Sequence, residues 1–325
     1  MTAIDVKNLS KNYQVYQKEP GITGTFKSLF HRKFQEVKAV DNISFQIAES
    51  ELVGFIGPNG AGKTTTLKCL SGLLYPTSGD ITVLGFKPRE RQSSFLKKIA
   101  FVMGQKNQLW WDLPALDTLL LNKEIYEISD SQFKTTLGEL SQLLEAGDLL
   151  KIPVKKLSLG QRMKCELIAA LLHSPKVLFL DEPTIGLDVV MQKKLRDFIG
   201  QYNQKFGATI ILTSHYMVDV EALAKRVIVI NHGRLLFDGK LSELVKKYAP
   251  DKYVRIVLRE NIAKDDITKF GKIKSYNFPQ LILKVPAKNL STVMPRILNQ
   301  FKIADLNIED AQIEEVIRQV FSKSA

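Results

Sequence analysis

The chain has 325 residues, in which 46 Lys and Arg against 34 Asp and Glu leave a formal net charge of +12. Apolar residues make up 45% and charged residues 25%, globular proportions that exclude disordered, collagen-like and disulfide-scaffold classes. The length suits about two domains.

In chain order, residues 4–9 and 43–47 read as antiparallel strands beside a core. Leu52–Ile56, residues 177–180, Thr209–Thr213 and residues 226–230 are short apolar runs without polar alternation, the pattern of a parallel sheet covered on both faces. Helical stretches between them point to an α/β fold. Residues 92–160, with a helical pattern over 137–150, are expected to form a helical subdomain inserted in that core. After about residue 246 the pattern changes. Residues 252–258, 280–285 and 304–308 read as strands, and 290–301 and 313–321 as helices. The expected division is therefore 1–246 and a small α+β domain over 247–325.

Cys69 and Cys165 are far apart and read as reduced, partly buried thiols. His31, His173, His215 and His232 form no metal-ligand spacing. The N-terminus lacks a signal-peptide run, and no stretch approaches the roughly 18 apolar residues of a membrane span. A protein of this kind that works at a membrane is expected to be recruited there.

Gly57, Pro58, Asn59, Gly60, Ala61, Gly62, Lys63 and Thr64 fit the GxxxxGK[ST] phosphate-loop pattern, between a strand and a helical stretch that opens with Thr65. Glycines let backbone N–H groups close on phosphate oxygens, and the helix start adds partial positive charge. Lys63 is placed to neutralise the β- and γ-phosphates and Thr64 to ligate Mg²⁺. The apolar run ending in Asp181 and Glu182 adds a carboxylate for Mg²⁺ and one that can polarise a water. His215 follows Thr209–Thr213 at the same sheet edge if these strands are parallel, where ligands of such sheets bind.

These motifs, with Leu157, Ser158, Leu159, Gly160 and Gln161 ahead of a helical stretch, resemble the ATP-binding cassette (ABC) ATPase family over residues 2–245. The implied fold is a P-loop NTPase cassette, with a mixed sheet core, an antiparallel β edge and an inserted helical subdomain. The resemblance makes residues 57–65 the Walker A loop, 177–182 the Walker B strand and 157–161 the signature. It makes Gly186, Leu187 and Asp188 the D-loop, His215 the switch histidine and Gln105 the Q-loop glutamine, a further Mg²⁺ ligand. Tyr13, with Tyr16 as the alternative, is implied to stack on adenine. Two cassettes are implied to pair head to tail with ATP between the Walker A loop of one and the signature of the other.

Two positions depart from the family pattern. Leu159 stands where glycine is common, and Ile185-Gly186 replaces a small polar pair. Neither removes a catalytic group.

Tyr13 and Ala39 are 26 positions apart, farther than a compact cassette needs. Within an insertion over about residues 17–37, Ile22, Phe26, Leu29, Phe30, Phe34 and Val37 share one side of a helical wheel, with Lys27, His31 and Arg32 mostly opposite. A basic amphipathic helix of this kind suits anionic lipid or a partner's groove, or packs on its own domain. Residues 1–40 hold 7 basic and 3 acidic side chains, the densest positive excess in the chain.

The insertion, residues 214–239 and the tail resemble ABC-2 type exporter ATPases. The implied protein is an ATPase subunit, cytoplasmic and peripheral on the inner face of the cell membrane, using ATP and Mg²⁺. Its partners would be a membrane-spanning permease subunit and a second cassette, identical or not, with no nucleic acid. The other class that the charge permits is a soluble ABC ATPase acting on nucleic acid or the ribosome. Such proteins usually carry two cassettes or a long coiled coil, and this sequence has one cassette.

Overall fold

The computed structural model describes residues 1–16, 34–104 and 106–322. Two compact units emerge, Met1–Asp238 and Gly239–Ala325. The division falls ahead of residue 246 because the helix Leu241–Tyr248 packs against the helix Ile313–Ser322 of the second unit.

The first unit is built on two sheets. Strands β1 (Thr2–Tyr16), β2 (Phe34–Ala48) and β4 (Ser78–Val83) form an antiparallel sheet in the order β2-β1-β4. The expected pairing of the first two runs holds, with Ile4 opposite Ile47 and Leu9 opposite Ile43. One face alternates into the core through Ile43, Phe45 and Ile47. The hairpin runs farther than expected, to Tyr13 opposite Val37 and Tyr16 opposite Phe34. Phe34 and Val37, expected on an amphipathic helix, are therefore strand residues. The remaining insertion positions, residues 17–33, lie outside the described residues.

The second sheet has the order β5-β6-β7-β3-β8-β9, from β5 (Ile99–Met103), β6 (Val177–Asp181), β7 (Thr209–Thr213), β3 (Leu52–Ile56), β8 (Arg226–Asn231) and β9 (Arg234–Lys240). The pairs from β5 through β8 are parallel, and every residue of β3, β6 and β7 is buried. That explains their continuous apolar sequence: both faces are covered. Phe55, Phe179, Ile211 and Ile228 join the antiparallel sheet's Ile4, Leu9 and Ile47 in one cluster.

Residues 92–160 are not wholly helical, since Ile99–Met103 is an edge strand of this sheet. The helical part follows it, as Ala115–Ile125, Asp130–Leu143 and short 3-10 turns. The expected helix over 137–150 is broken at Glu145, whose φ is +49°, and resumes as a 3-10 turn over Gly147–Lys151. In the second unit, β10 (Asp251–Leu258), β11 (Lys272–Asn277), β12 (Gln280–Pro286) and β13 (Ile303–Glu309) form an antiparallel sheet, β11-β12-β10-β13. One face of it packs Val254, Ile256, Leu281 and Leu283 with Ile297 of the helix Leu290–Gln300.

Candidate functional site

The site lies where the parallel strands end. The loop after β3 turns through Gly60 and Gly62, whose φ values of +78° and +102° suit glycine. Close packing requires two of its glycines as well. A Cβ on Gly57 would stand 2.5 Å from the Ile230 carbonyl oxygen, and one on Gly62 would stand 2.3 Å from that of Ala39 in β2. The loop feeds the helix Lys63–Leu70, whose first-turn N–H groups have no acceptor within the helix itself.

Lys63 is 5% exposed, and its ammonium donates to the carbonyls of Gly57 at 2.7 Å and Pro58 at 3.1 Å. Burial pushes its pKa down, opposed by the nearby charges of Glu182 and Asp181. Thr64 Oγ1 donates to Asp181 Oδ2 at 2.8 Å, so the loop and the end of β6 share one contact. The other carboxylate oxygen, Oδ1, accepts from Thr213 Oγ1 at 2.7 Å. The Thr213 hydroxyl also accepts from the Glu182 N–H at 3.0 Å, and the Thr213 carbonyl accepts from it at 3.1 Å. Glu182 has a φ of +55°, rare for a side chain of its size. Its Oε1 lies 2.7 Å from His215 Nε2. The parallel register, which pairs Asp181 with both Met103 and Thr213, puts these groups at one edge.

Gly104 carries no signal in the sequence by itself. It follows β5, donates its N–H to the Asp181 carbonyl at 3.0 Å, and would place a Cβ 2.1 Å from the Glu182 carbonyl oxygen. Only the strand order reveals this approach. Gln105, the next residue, lies outside the described residues. Just beyond it, the buried Glu166 carboxylate accepts from the N–H groups of Gln108 at 2.9 Å and Leu109 at 3.3 Å. That ties the segment after β5 to the helix Leu159–Leu171. Burial raises the Glu166 pKa, partly offset by these donors.

Ser158 caps that helix. Its hydroxyl accepts from the Gln161 N–H at 3.2 Å, while Gln161 Oε1 accepts from the Ser158 N–H at 2.9 Å, a reciprocal capping box. Leu157 lies just before the cap. A Cβ on Gly160 would stand 2.8 Å from Met191 Cγ, so a side chain there would require the Met191 side chain to shift. Asp188 caps the helix Val189–Phe206 by accepting from the Met191 N–H at 2.8 Å. Gly186 has a φ of +75°, and Leu187 is buried. Tyr13 is 37% exposed on the outer part of the hairpin, with Lys11 Nζ 5.3 Å from its ring centre. Among the described residues, no group of three or more His, Cys, Asp and Glu forms a metal cluster.

His173 differs from His215. His173 lies flat on Tyr126 at 3.9 Å between ring centres, and its Nε2 is 2.9 Å from the Ile99 carbonyl, a packing role. No helix among the described residues is long and apolar enough to cross a membrane.

Known proteins resemble this chain. The family described as "ABC transporter" matches residues 40–185, and that described as "EvrA-like ABC transporter, C-terminal domain" matches residues 250–309. The ABC transporter ATP-binding protein NatA of Bacillus subtilis is 35% identical over 217 residues, 66% of this chain and 88% of NatA. The linearmycin resistance ATP-binding protein LnrL of the same organism is 28% identical over 85% of this chain and 89% of LnrL. The dimeric structure of MJ0796, a bacterial ABC transporter cassette, superposes with a TM-score of 0.61 at 25% identity, covering 73% of this chain and 98% of that one. By these matches the chain belongs to the ABC transporter ATP-binding proteins, ATPase subunits that power membrane transport.

Proposed function

We propose that this cassette drives an ABC-2 type exporter by closing head to tail on a second cassette, an identical copy or a paired one. ATP lies between the phosphate loop of one cassette and residues 157–161 of the other. The loop N–H groups of residues 57–65 hold the phosphates, Lys63 neutralises the β- and γ-phosphates, and Tyr13 stacks on adenine. Ser158 and the N–H groups about Gly160, at a helix start, grip the γ-phosphate from across the interface. Gly186, Leu187 and Asp188 run beside them and link the two sites.

Thr64 and Asp181, which already touch, supply a hydroxyl and a carboxylate, hard oxygen donors that suit Mg²⁺. With Gln105 they are the residues that would hold it, and the ion supplies charge to the phosphate oxygens when bound. Glu182 orients a water and takes its proton as the water attacks the γ-phosphate. His215 holds Glu182 and contacts the γ-phosphate. Loss of that phosphate removes a contact made only in the closed pair, so the pair parts.

The observation that carries this reading is the 2.7 Å contact between Glu182 and His215, beside the Thr64–Asp181 pair. A relative named for linearmycin resistance supports an export role. The permease would hold the chain peripherally on the cytoplasmic face of the membrane. The test is Glu182→Gln, which removes the proton acceptor but keeps the shape. Nucleotide binding should persist, turnover should fall at least about 100-fold, and a stable ATP-bound dimer should appear by size-exclusion chromatography. Wild-type turnover in this variant would refute the assignment.

A further inference from the structure

Asp219 has none of the residue roles assigned above, yet it is fully buried in the short helix Met217–Leu223. Three donors reach it from three other segments. Thr184 Oγ1 and Ser214 Oγ both donate to Oδ2, at 2.5 and 2.7 Å. Arg196 Nη1, from the helix Val189–Phe206, donates to Oδ1 at 2.7 Å.

Burying a carboxylate in an apolar core is costly unless it is neutralised and its lone pairs are filled. Arg196 does the first, and the two hydroxyls help with the second. The positions of those hydroxyls give the arrangement its meaning. Thr184 is two residues after Glu182, and Ser214 immediately precedes His215. The loops that end β6 and β7 are thus fastened to the same oxygen atom. Glu182 and His215, each within two residues of a fastened hydroxyl, meet at 2.7 Å. Glu182 also holds an uncommon positive φ, which persists only when its surroundings constrain it.

We propose that Asp219 is a positioning residue for ATP hydrolysis: by clasping Thr184 and Ser214 it sets the separation and aim of Glu182 and His215. This rests on the reading of those two residues given under Proposed function. Asp219 is fully buried and its carboxylate is bonded to Thr184, Ser214 and Arg196, so its loss is expected to act through the pair and not through binding. A displacement near 1 Å of a reacting group can cost about 100-fold in rate.

The test measures steady-state turnover and equilibrium binding of a fluorescent ATP analogue on the full chain. Asp219→Asn keeps the shape and removes the charge. It should lower kcat about 10- to 100-fold and leave nucleotide affinity within about threefold. Thr184→Val should lower kcat in the same direction, and Thr184→Ser should recover it. These two variants carry the test if Asp219→Asn does not fold.

The decisive comparison is a cycle with His215→Ala. In that background Asp219→Asn should lower kcat by less than about twofold more, because the pair it positions is already broken. The same loss in both backgrounds, or a loss of binding that matches the loss of kcat, would overturn the clasp. Wild-type turnover in His215→Ala alone would instead overturn the reading of the site, and the clasp with it.

Discussion

Leu159 Cδ2 stands 3.0 Å from the point where a Cβ on Gly186 would be. The two departures from the family pattern are therefore one packing solution. Leucine at the first position of the Leu159–Leu171 helix fills space that a side chain at residue 186 would need. Gly186→Ala should be destabilising on two counts, the φ of +75° and the Leu159 contact, by about 1–3 kcal/mol together. Leu159→Gly should relieve only the second. Thermal unfolding of the two single variants and the double variant checks this, with an expected coupling of about 0.5–2 kcal/mol. Strict additivity would show that the contact is not the cause.

Gly104→Ala should damage hydrolysis without touching a phosphate ligand. Its Cβ would meet the Glu182 carbonyl oxygen at 2.1 Å, and backbone on backbone cannot give way by a rotamer change. Glu182 must move, so kcat should fall about 10- to 100-fold with ATP affinity changed less than about threefold. Turnover and equilibrium nucleotide binding, measured on one preparation, decide it. Unchanged kcat would mean the two backbones part harmlessly.

The phosphate loop, Asp181, Glu182 and His215 were legible in the sequence because each ends a buried apolar strand, and a parallel sheet brings such ends together. The groups that hold them in place were not. Gly104 matters only because β5 lies beside β6. Thr213 looks like the last residue of an apolar strand, and its bridge between Asp181 and Glu182 exists only in the folded register. Asp219 did leave a trace, an acidic residue between buried Met217 and Val220 on a short helix. The outer hairpin is silent in the sequence for a different reason. Beyond Val40 its outer part is exposed on β2, so it carries no alternation to reveal a strand.

The hairpin ladder sets the limits of any deletion aimed at the insertion. Phe34 pairs with Tyr16, so removing residues 18–36 would also cut strand. Replacing residues 17–33 with an Asn-Gly turn keeps the ladder. That variant should retain its melting temperature within about 3 °C and its ATPase activity, while losing co-purification with the membrane subunit. Undiminished co-purification would show that the segment does not dock the protein.

Both thiols should be silent in the folded protein. Burial raises the pKa of Cys69 to about 11 and that of Cys165 to about 11. A raised pKa leaves the protonated, unreactive form in place as pH climbs. At pH 8 only about one thiol in a thousand is thiolate, before access is considered. Ellman's reagent should label neither cysteine in native protein and both in denaturant. Fast native labelling would indicate local opening at that site.

The Ala39 carbonyl is the back wall of the phosphate loop. It abuts Gly62 directly, and a Cβ on Gly233 would come within 3.0 Å of it, while the Asp41 N–H donates to the Gly233 carbonyl at 2.9 Å. Two residues away along the same strand, Val37 stands exposed beside Tyr13. The base of the hairpin and the turn through Gly62 are thus in direct main-chain contact, so neither backbone can shift there without displacing the other.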